Sequence, residues 1–422
     1  MSSFAVLIKR VWAIKPHPNA DMLEFAITSG YRSLVKKNTV SVGDLVAYIP
    51  EYAILPKTVL KHLGLWDEQK NCGKLCGKNG DRVRTIKLRG EVSQGICYPV
   101  NRSGDNNFIV VDHPDGAVSN IAVTEGDDVT AILGITKYEP PIPVSLSGEV
   151  FSVNTELTIN FDVENWKSYP DVFDIKNRES SVVFEYDDID EENKGVFLED
   201  EEDLPDSEYD APEDEEVVIT EKLHGTFTGL SILPYRDAQP EAFGEKKNIL
   251  IFSKGLGSKG LVFKNNERNK NNVYVRSTAK LVSKIDELQR SDPTGPPQPI
   301  IILGETIGPG VQDLPYFKDI CLRVFSVVSG YRVKKYHNWD AVEGELKEFF
   351  GYETVPVLYR GPFSEEIMKE HTDGKTALEA DHIREGIVIT PVVERYHPKL
   401  GRVCLKSVSD AYLTRKNGTE YN

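Results

Sequence analysis

The sequence predicts an α+β fold in two parts, a small β-barrel followed by a larger strand-rich domain with flanking helices. Three observations predict it. The first 145 residues are punctuated every few positions by turn chemistry between short apolar runs. A proline-rich stretch, Tyr138-Glu139-Pro140-Pro141-Ile142-Pro143, then stiffens the chain into an extended connector. Beyond it, longer apolar runs carry single charged residues on or beside them, which ordinary buried strands avoid. The expected domains are therefore 1–145 and 146–422.

In the first part, strands are expected at Ala5-Val6-Leu7-Ile8, Leu23-Glu24-Phe25-Ala26-Ile27, Ser33-Leu34-Val35 and Leu45-Val46-Ala47-Tyr48-Ile49. Between them stand His17-Pro18-Asn19-Ala20-Asp21, Ser29-Gly30 and Val42-Gly43-Asp44, all turn formers. Short strands at this spacing suit a closed barrel. The stretch resembles OB-fold modules of the tRNA-binding type, in which a His-Pro-Asn-Ala-Asp segment precedes a Leu-Glu strand. Further on, Arg82-Val83-Arg84-Thr85-Ile86-Lys87-Leu88-Arg89-Gly90 alternates basic and other residues. Were this a strand, Arg82, Arg84 and Arg89 would share a solvent face and could track phosphates, or could simply protect a sheet edge.

The net charge of −16 argues against nucleic acid only at first sight. Residues 185–216 hold 18 acidic residues and one lysine, a balance of −17, so the other 390 residues net to +1. This acidic run has too few apolar residues to bury a core and is expected to be a mobile insertion. The aromatic residues Phe151, Phe161, Trp166, Tyr169 and Phe173 anchor the chain before it. No apolar run approaches a membrane span, and the N-terminus lacks a signal pattern, so a cytoplasmic or nuclear protein is expected. The five cysteines lack the paired spacing of a zinc site.

The second part is expected to contain a helix over Val273–Leu288, and others over Val342–Phe350 and Ser364–Lys369. Gly255, Gly257 and Gly260 have dinucleotide-motif spacing, but Leu261-Val262-Phe263 follows where a helix should open. A strand–turn–strand is expected there instead. No His-Arg-Asp or Asp-Phe-Gly follows, which removes a kinase reading.

The chemistry concentrates around Val217-Val218-Ile219-Thr220-Glu221-Lys222-Leu223-His224-Gly225-Thr226. A lysine at the end of a buried strand is partly desolvated, which lowers its pKa and frees a nucleophilic amine near neutral pH. Gly225 permits close approach of backbone or phosphate. Downstream, Lys254, Glu305, Phe325, Glu385 and Lys406 each sit on or beside an apolar strand. Lysines and glutamates converging in this way suit a triphosphate and a divalent metal. Taken singly, Phe325 reads as core, Glu305 and Glu385 as structural ion pairs, and Lys406 as a strand-end lysine reaching water; their shared order argues against all four.

That order resembles the covalent nucleotidyltransferases. Lys222-Leu223-His224-Gly225 is similar to their motif I, Ser253-Lys254-Gly255 to motif Ia, and Gly304-Glu305 to motif III. Phe325 fits motif IIIa, Glu385-Gly386 motif IV and Lys406 motif V. With histidine two after the lysine and an OB-like module in front, the whole resembles ATP-dependent RNA ligases of the Deinococcus/Naegleria type. The resemblance implies an adenylation domain of antiparallel sheets. It also implies a route in which Lys222 takes AMP from ATP, passes it to an RNA 5′-phosphate, and a 3′-hydroxyl displaces it. It assigns Glu221 to the adenine edge, Glu305 to the ribose and Phe325 to the base face. Lys254 and Lys406 would meet the phosphates, His224 and Gly225 would shape the turn, and Glu385 would hold Mg²⁺ or Mn²⁺.

The implied substrate is RNA with 3′-OH and 5′-phosphate ends, a nicked duplex being the expected form, handled by a monomer. Only 16 residues follow Lys406, too few for the further domain of DNA ligases and capping enzymes. A GTP-using capping-type transferase and a non-catalytic RNA-binding relic are the rivals. Two departures stand out. Motif V often begins with a second lysine where this chain has Cys404, with Arg402 on the same strand side as its substitute. Phe227 stands where some RNA ligases carry asparagine.

Overall fold

The computed structural model describes residues 4–113, 115–142, 146–153, 158–159, 162–173, 215–238, 248–255, 260–291, 295–331, 333–416 and 418–419. Expectations for Phe161, Gly257 and most of the acidic run fall outside these residues.

The N-terminal part is built from short antiparallel sheets. Leu45–Ile49 lies between Leu7–Arg10 and Ile96–Pro99, and Ala13–Pro16, Leu23–Thr28 and Tyr31–Lys36 form a meander beside them. All five residues of Leu45–Ile49 are buried, because the strand has neighbours on both edges and apolar layers on both faces. Val6, Ile8, Ala47, Ile49, Leu60, Tyr98, Ile109 and Val129 share one core. The short helix Lys57–His62 contributes Val59 and Leu60 to it.

The second part is built mainly on two sheets, which meet at the turn after Glu216–Lys222. The larger sheet has seven strands in the order Val150–Val153, Leu261–Phe263, Ile249–Ser253, Thr226–Ile232, Ile300–Ile307, Cys321–Ser329 and Lys335–Tyr336. The smaller has five, Glu164–Asn165, Leu405–Val408, Gly386–Pro391, Glu216–Lys222 and Val357–Pro362. Its only parallel pair among the described residues is Glu164–Asn165 with Leu405–Lys406. Glu216–Lys222 is an interior strand of one sheet and Thr226–Ile232 of the other. Leu223-His224-Gly225 therefore turns the chain from sheet to sheet, and a cleft opens along that seam.

The 19-residue helix Val273–Ser291 lies on the larger sheet. Val273, Tyr274, Ser277, Thr278, Leu281 and Ile285 recur at helical spacing on its buried face. Short helices follow at Trp339–Glu343, Glu345–Phe350 and Glu365–Thr372; Ser364 caps the last by accepting the Ile367 amide. Ile249–Ser253 and Leu261–Phe263 pair antiparallel, so Gly255 and Gly260 lie between two paired strands rather than at a helix start. Trp166, Tyr169, Val172 and Phe173 pack against Val217, Ile219, Ile387 and Leu405. Among the described residues no helix is long and apolar enough to cross a membrane.

Candidate active site

The seam between the sheets forms a cleft of about 390 Å³. Glu221, Lys222, His224, Gly225, Lys254, Glu305, Phe325, Glu385 and Lys406 all line it. Strand pairing explains how residues so far apart meet. Lys222 pairs with Gly386, which places Glu385 beside it, and Val388 pairs with Lys406 one strand further. In the other sheet Phe227 pairs with Glu305, so the turn delivers Gly225 against that carboxylate. Gly225 has to be glycine: a Cβ there would meet the Thr306 carbonyl oxygen at 2.2 Å.

Lys222 Nζ donates to Glu385 Oε1 at 2.6 Å. This reverses the sequence expectation for its ionisation. Burial alone would lower the lysine pKa, but the carboxylates of Glu385 and Glu305 outweigh it and hold Lys222 above the usual lysine value. Glu385 moves the opposite way: burial pushes it up, and Lys222 and His224 pull it well below the usual carboxylate range. Glu305 lacks so close a cation. Burial raises it to about 7, with only partial relief from Lys222 and from the Gly225 amide that donates to its Oε1 at 3.1 Å.

Glu221 is 1% exposed, and its Oε2 accepts the Ala377 amide at 2.7 Å. Its Oε1 is buried with no hydrogen-bond partner among the described residues. A buried acceptor left in this state costs desolvation energy unless a ligand supplies a donor. Phe325 and Phe227, on the two strands that flank Ile300–Ile307, both line the cleft with ring centroids 6.3 Å apart.

The cationic end holds an acid that sequence reasoning missed. Asp162 Oδ2 accepts from Lys254 Nζ at 3.2 Å. Burial pushes Asp162 up, but Lys406, Lys254 and Lys137 pull it to about 2. Lys406 is lowered by burial, against the opposing pull of Asp162. Lys137, Tyr138 and Tyr52 reach the cleft from the first 142 residues and were equally unforeseen. Arg402, the expected substitute for the absent motif V lysine, lines the cleft, but its guanidinium is bound by Glu394, with Nε to Oε2 at 2.7 Å, and stacks on Tyr336. Its charge is matched where it stands.

The three arginines of the N-terminal stretch do not form a strand face. The strand there is only Ile86–Leu88, and backbone bridges to Ile54 and Cys76 take up the chain around Arg82. Arg82 is half-buried and stacks on Tyr138. Arg84 is half-buried, while Arg89 is exposed at the tip of a hairpin with φ +47°.

Residues 215–408 match the family model for RNA ligase, and residues 5–100 match an OB-fold domain model. Residues 215–408 are thus similar to the RNA ligase family. Among solved structures, a Naegleria gruberi RNA ligase mutant with ATP and Mn is 21% identical, with a TM-score of 0.66 over 97% of this chain and 98% of that one. A mutant of the same ligase with AMP and Mn gives 21% and 0.64 over 96% and 97%, and the ligase with PPi gives 20% and 0.64 over 97% and 98%. At this identity the likeness establishes the shared fold, an OB-fold module followed by a sheet-rich ligase domain. Among curated proteins none matches. Within residues 215–408, no group of three or more His, Cys, Asp or Glu side chains among the described residues is arranged to hold a metal ion alone.

Proposed function

We propose that this protein is an ATP-dependent RNA ligase acting on RNA with 3′-OH and 5′-phosphate ends, a nicked duplex being the preferred form, in RNA repair. The observation that carries this reading is the Lys222–Glu385 pair in a cleft with a carboxylate lacking a donor at one end and a lysine cluster at the other. Glu221 Oε1 offers an acceptor that suits the exocyclic amine of adenine. The Phe325 ring would cover the base, and Glu305 would meet the ribose. Lys254 and Lys406 suit the phosphates.

In the first step Lys222 Nζ, having lost its proton, attacks the α-phosphorus of ATP. The new N–P bond replaces the bond to pyrophosphate, which leaves with its electron pair. The RNA 5′-phosphate then takes AMP from Lys222, and the 3′-hydroxyl displaces AMP to close the strand. The protein contributes alignment and charge neutralisation rather than a further nucleophile. Glu385 would hold Mg²⁺ or Mn²⁺. When bound, the cation supplies charge neutralisation at the phosphoryl group and weakens the hold of Glu385 on the Lys222 proton. Arg89, exposed at the hairpin tip, would meet the RNA backbone, and Arg82 supports Tyr138.

Incubation with α-labelled ATP and Mg²⁺, followed by denaturing electrophoresis, tests the reading. Wild type should retain label and Lys222→Ala should not. An unlabelled wild type overturns the enzyme reading in favour of a non-catalytic RNA-binding protein. GTP outcompeting ATP overturns the choice of nucleotide in favour of capping-type chemistry. A nicked RNA duplex should then be sealed.

A further inference from the structure

We infer that Asp313 and Arg415 are positioning residues that act on the Lys222 turn through His224, and that the segment after the last strand serves to hold them in place. The inference rests on the reading of Lys222 and Glu385 given above. His224 is only 6% exposed and lies at the centre of the arrangement. Its Nδ1 is 2.8 Å from the Tyr412 hydroxyl and 3.6 Å from Glu385 Oε2, while its Nε2 is 2.8 Å from Asp313 Oδ1. The imidazole therefore bridges the carboxylate that grips Lys222 and a second carboxylate behind it.

Asp313 is itself fixed from the other side. Arg415 donates to it as a fork, Nε to Oδ2 and Nη2 to Oδ1, each at 3.1 Å. The Thr419 amide donates to Asp313 Oδ1 at 2.8 Å, and the Asp313 amide donates to the Thr419 hydroxyl at 2.9 Å. The Arg415 guanidinium also lies on the Tyr412 ring, 3.6 Å from its centroid.

Two further bonds tie this assembly to the turn. The Tyr316 hydroxyl accepts the His224 amide at 2.7 Å, and Gln312 Nε2 donates to the Gly225 carbonyl at 3.0 Å. Neither Asp313 nor Arg415 lines the cleft. Any effect they have on the reaction passes through neighbours that do line it, His224 foremost. Removing either takes away an anchor on the Nε2 side and leaves Tyr412 alone to orient the imidazole, so the neighbour that Glu385 Oε2 meets is held less well.

The test is single-turnover lysyl-AMP formation with labelled ATP and Mg²⁺ in Asp313→Ala, Arg415→Ala, His224→Ala and the His224→Ala/Asp313→Ala double variant. Asp313→Ala and Arg415→Ala should slow the step on the order of 10- to 100-fold, with the ATP KM changed by less than about twofold. The double variant should be no slower than His224→Ala alone, since a residue acting through His224 has nothing left to position. An unchanged rate in Asp313→Ala overturns the inference. So does an equal loss on adding Asp313→Ala to either background, or a loss expressed wholly in KM. If wild type forms no lysyl-AMP, the proposed function falls, and the imidazole nitrogen resonances of His224 still decide the inference. They should move in both Asp313→Ala and Arg415→Ala, and resonances unmoved in either overturn it.

Discussion

Lys222 Nζ and Glu385 Oε1 stand 2.6 Å apart, so the candidate nucleophile and the candidate metal carboxylate are each other's counter-ion in the free protein. The pairing keeps the lysine protonated, since Glu385 and Glu305 together outweigh the desolvation that would lower its pKa. Nucleophilicity is thus gated by whatever draws Glu385 away. In metal-free buffer, the reactivity of Lys222 towards an amine-selective reagent should rise with pH through a midpoint above the ordinary lysine value of about 10.4. Glu385→Gln removes the larger of the two raising charges and should move the midpoint down. Mass spectrometry of the modified lysine across a pH series reads both. A midpoint that stays or climbs in Glu385→Gln contradicts the argument.

Glu305 gives a stability test with the opposite sign from most carboxylates. Its native pKa, about 7, lies above that of an unfolded glutamate, so between those values the native state binds the extra proton. Stability therefore falls as pH rises through this window and stays lowered above about 7. Glu305→Gln keeps an acceptor for the Gly225 amide without the charge. It should stabilise the fold by about 1–2 kcal/mol at pH 8 and be close to neutral at pH 4. Urea unfolding at the two pH values distinguishes this from a destabilisation present at both.

Asp162 occupies the position among the lysines that a phosphate would compete for. With Asp162→Asn, Lys254 loses its ion-pair partner and Lys406 loses the larger of the two carboxylate charges that oppose its lowering, the other being Glu385. Inorganic pyrophosphate should then bind about threefold tighter or more, and the gain should shrink as salt is added. Calorimetric titration of the metal-free protein measures this. Weaker binding by Asp162→Asn would show that Asp162 organises the lysines rather than competing with their ligand.

The legible part of the site was the part written into strands. A charged residue on an apolar strand is visible in sequence because burial penalises it, and that signal marked Lys222, Glu305, Glu385 and Lys406. Residues held by loops carry no such contrast. Asp162 and Asp313 sit in loops and Lys137 in an exposed two-residue strand, stretches where an acid or a lysine is unremarkable, and only the folded chain brings them to the cleft or to His224. The direction of the Lys222 shift was unreadable for a related reason. It depends on a contact 163 residues away, whereas the local sequence shows only the desolvation that opposes it. The barrel and sheet elements were readable because alternation and turn residues are local, but the arginine stretch shows the limit. Bridges to Ile54 and Cys76 override its strand-like pattern around Arg82.

Gly225 joins the two sheets, and its lack of a side chain is a steric requirement rather than a matter of backbone angle. A Cβ would stand 2.2 Å from the Thr306 carbonyl oxygen, 2.8 Å from Ile307 Cγ2 and 2.9 Å from Glu305 Cγ. Backbone in the neighbouring strand cannot yield as a flexible side chain can, so the turn itself must move outward. Gly225→Ala should cost about 1–3 kcal/mol of stability, in the range of overpacked sites. The same displacement would break the Gly225 amide bond to Glu305 and shift Lys222 along its strand. Lysyl-AMP formation should therefore fall by more than the folded fraction does, about tenfold or more, from misplacement of the nucleophile. Chemical unfolding paired with single-turnover labelling under strongly native conditions separates the two losses. A variant of normal stability and normal rate would mean the turn tolerates the extra carbon, and that its geometry does not set the reaction.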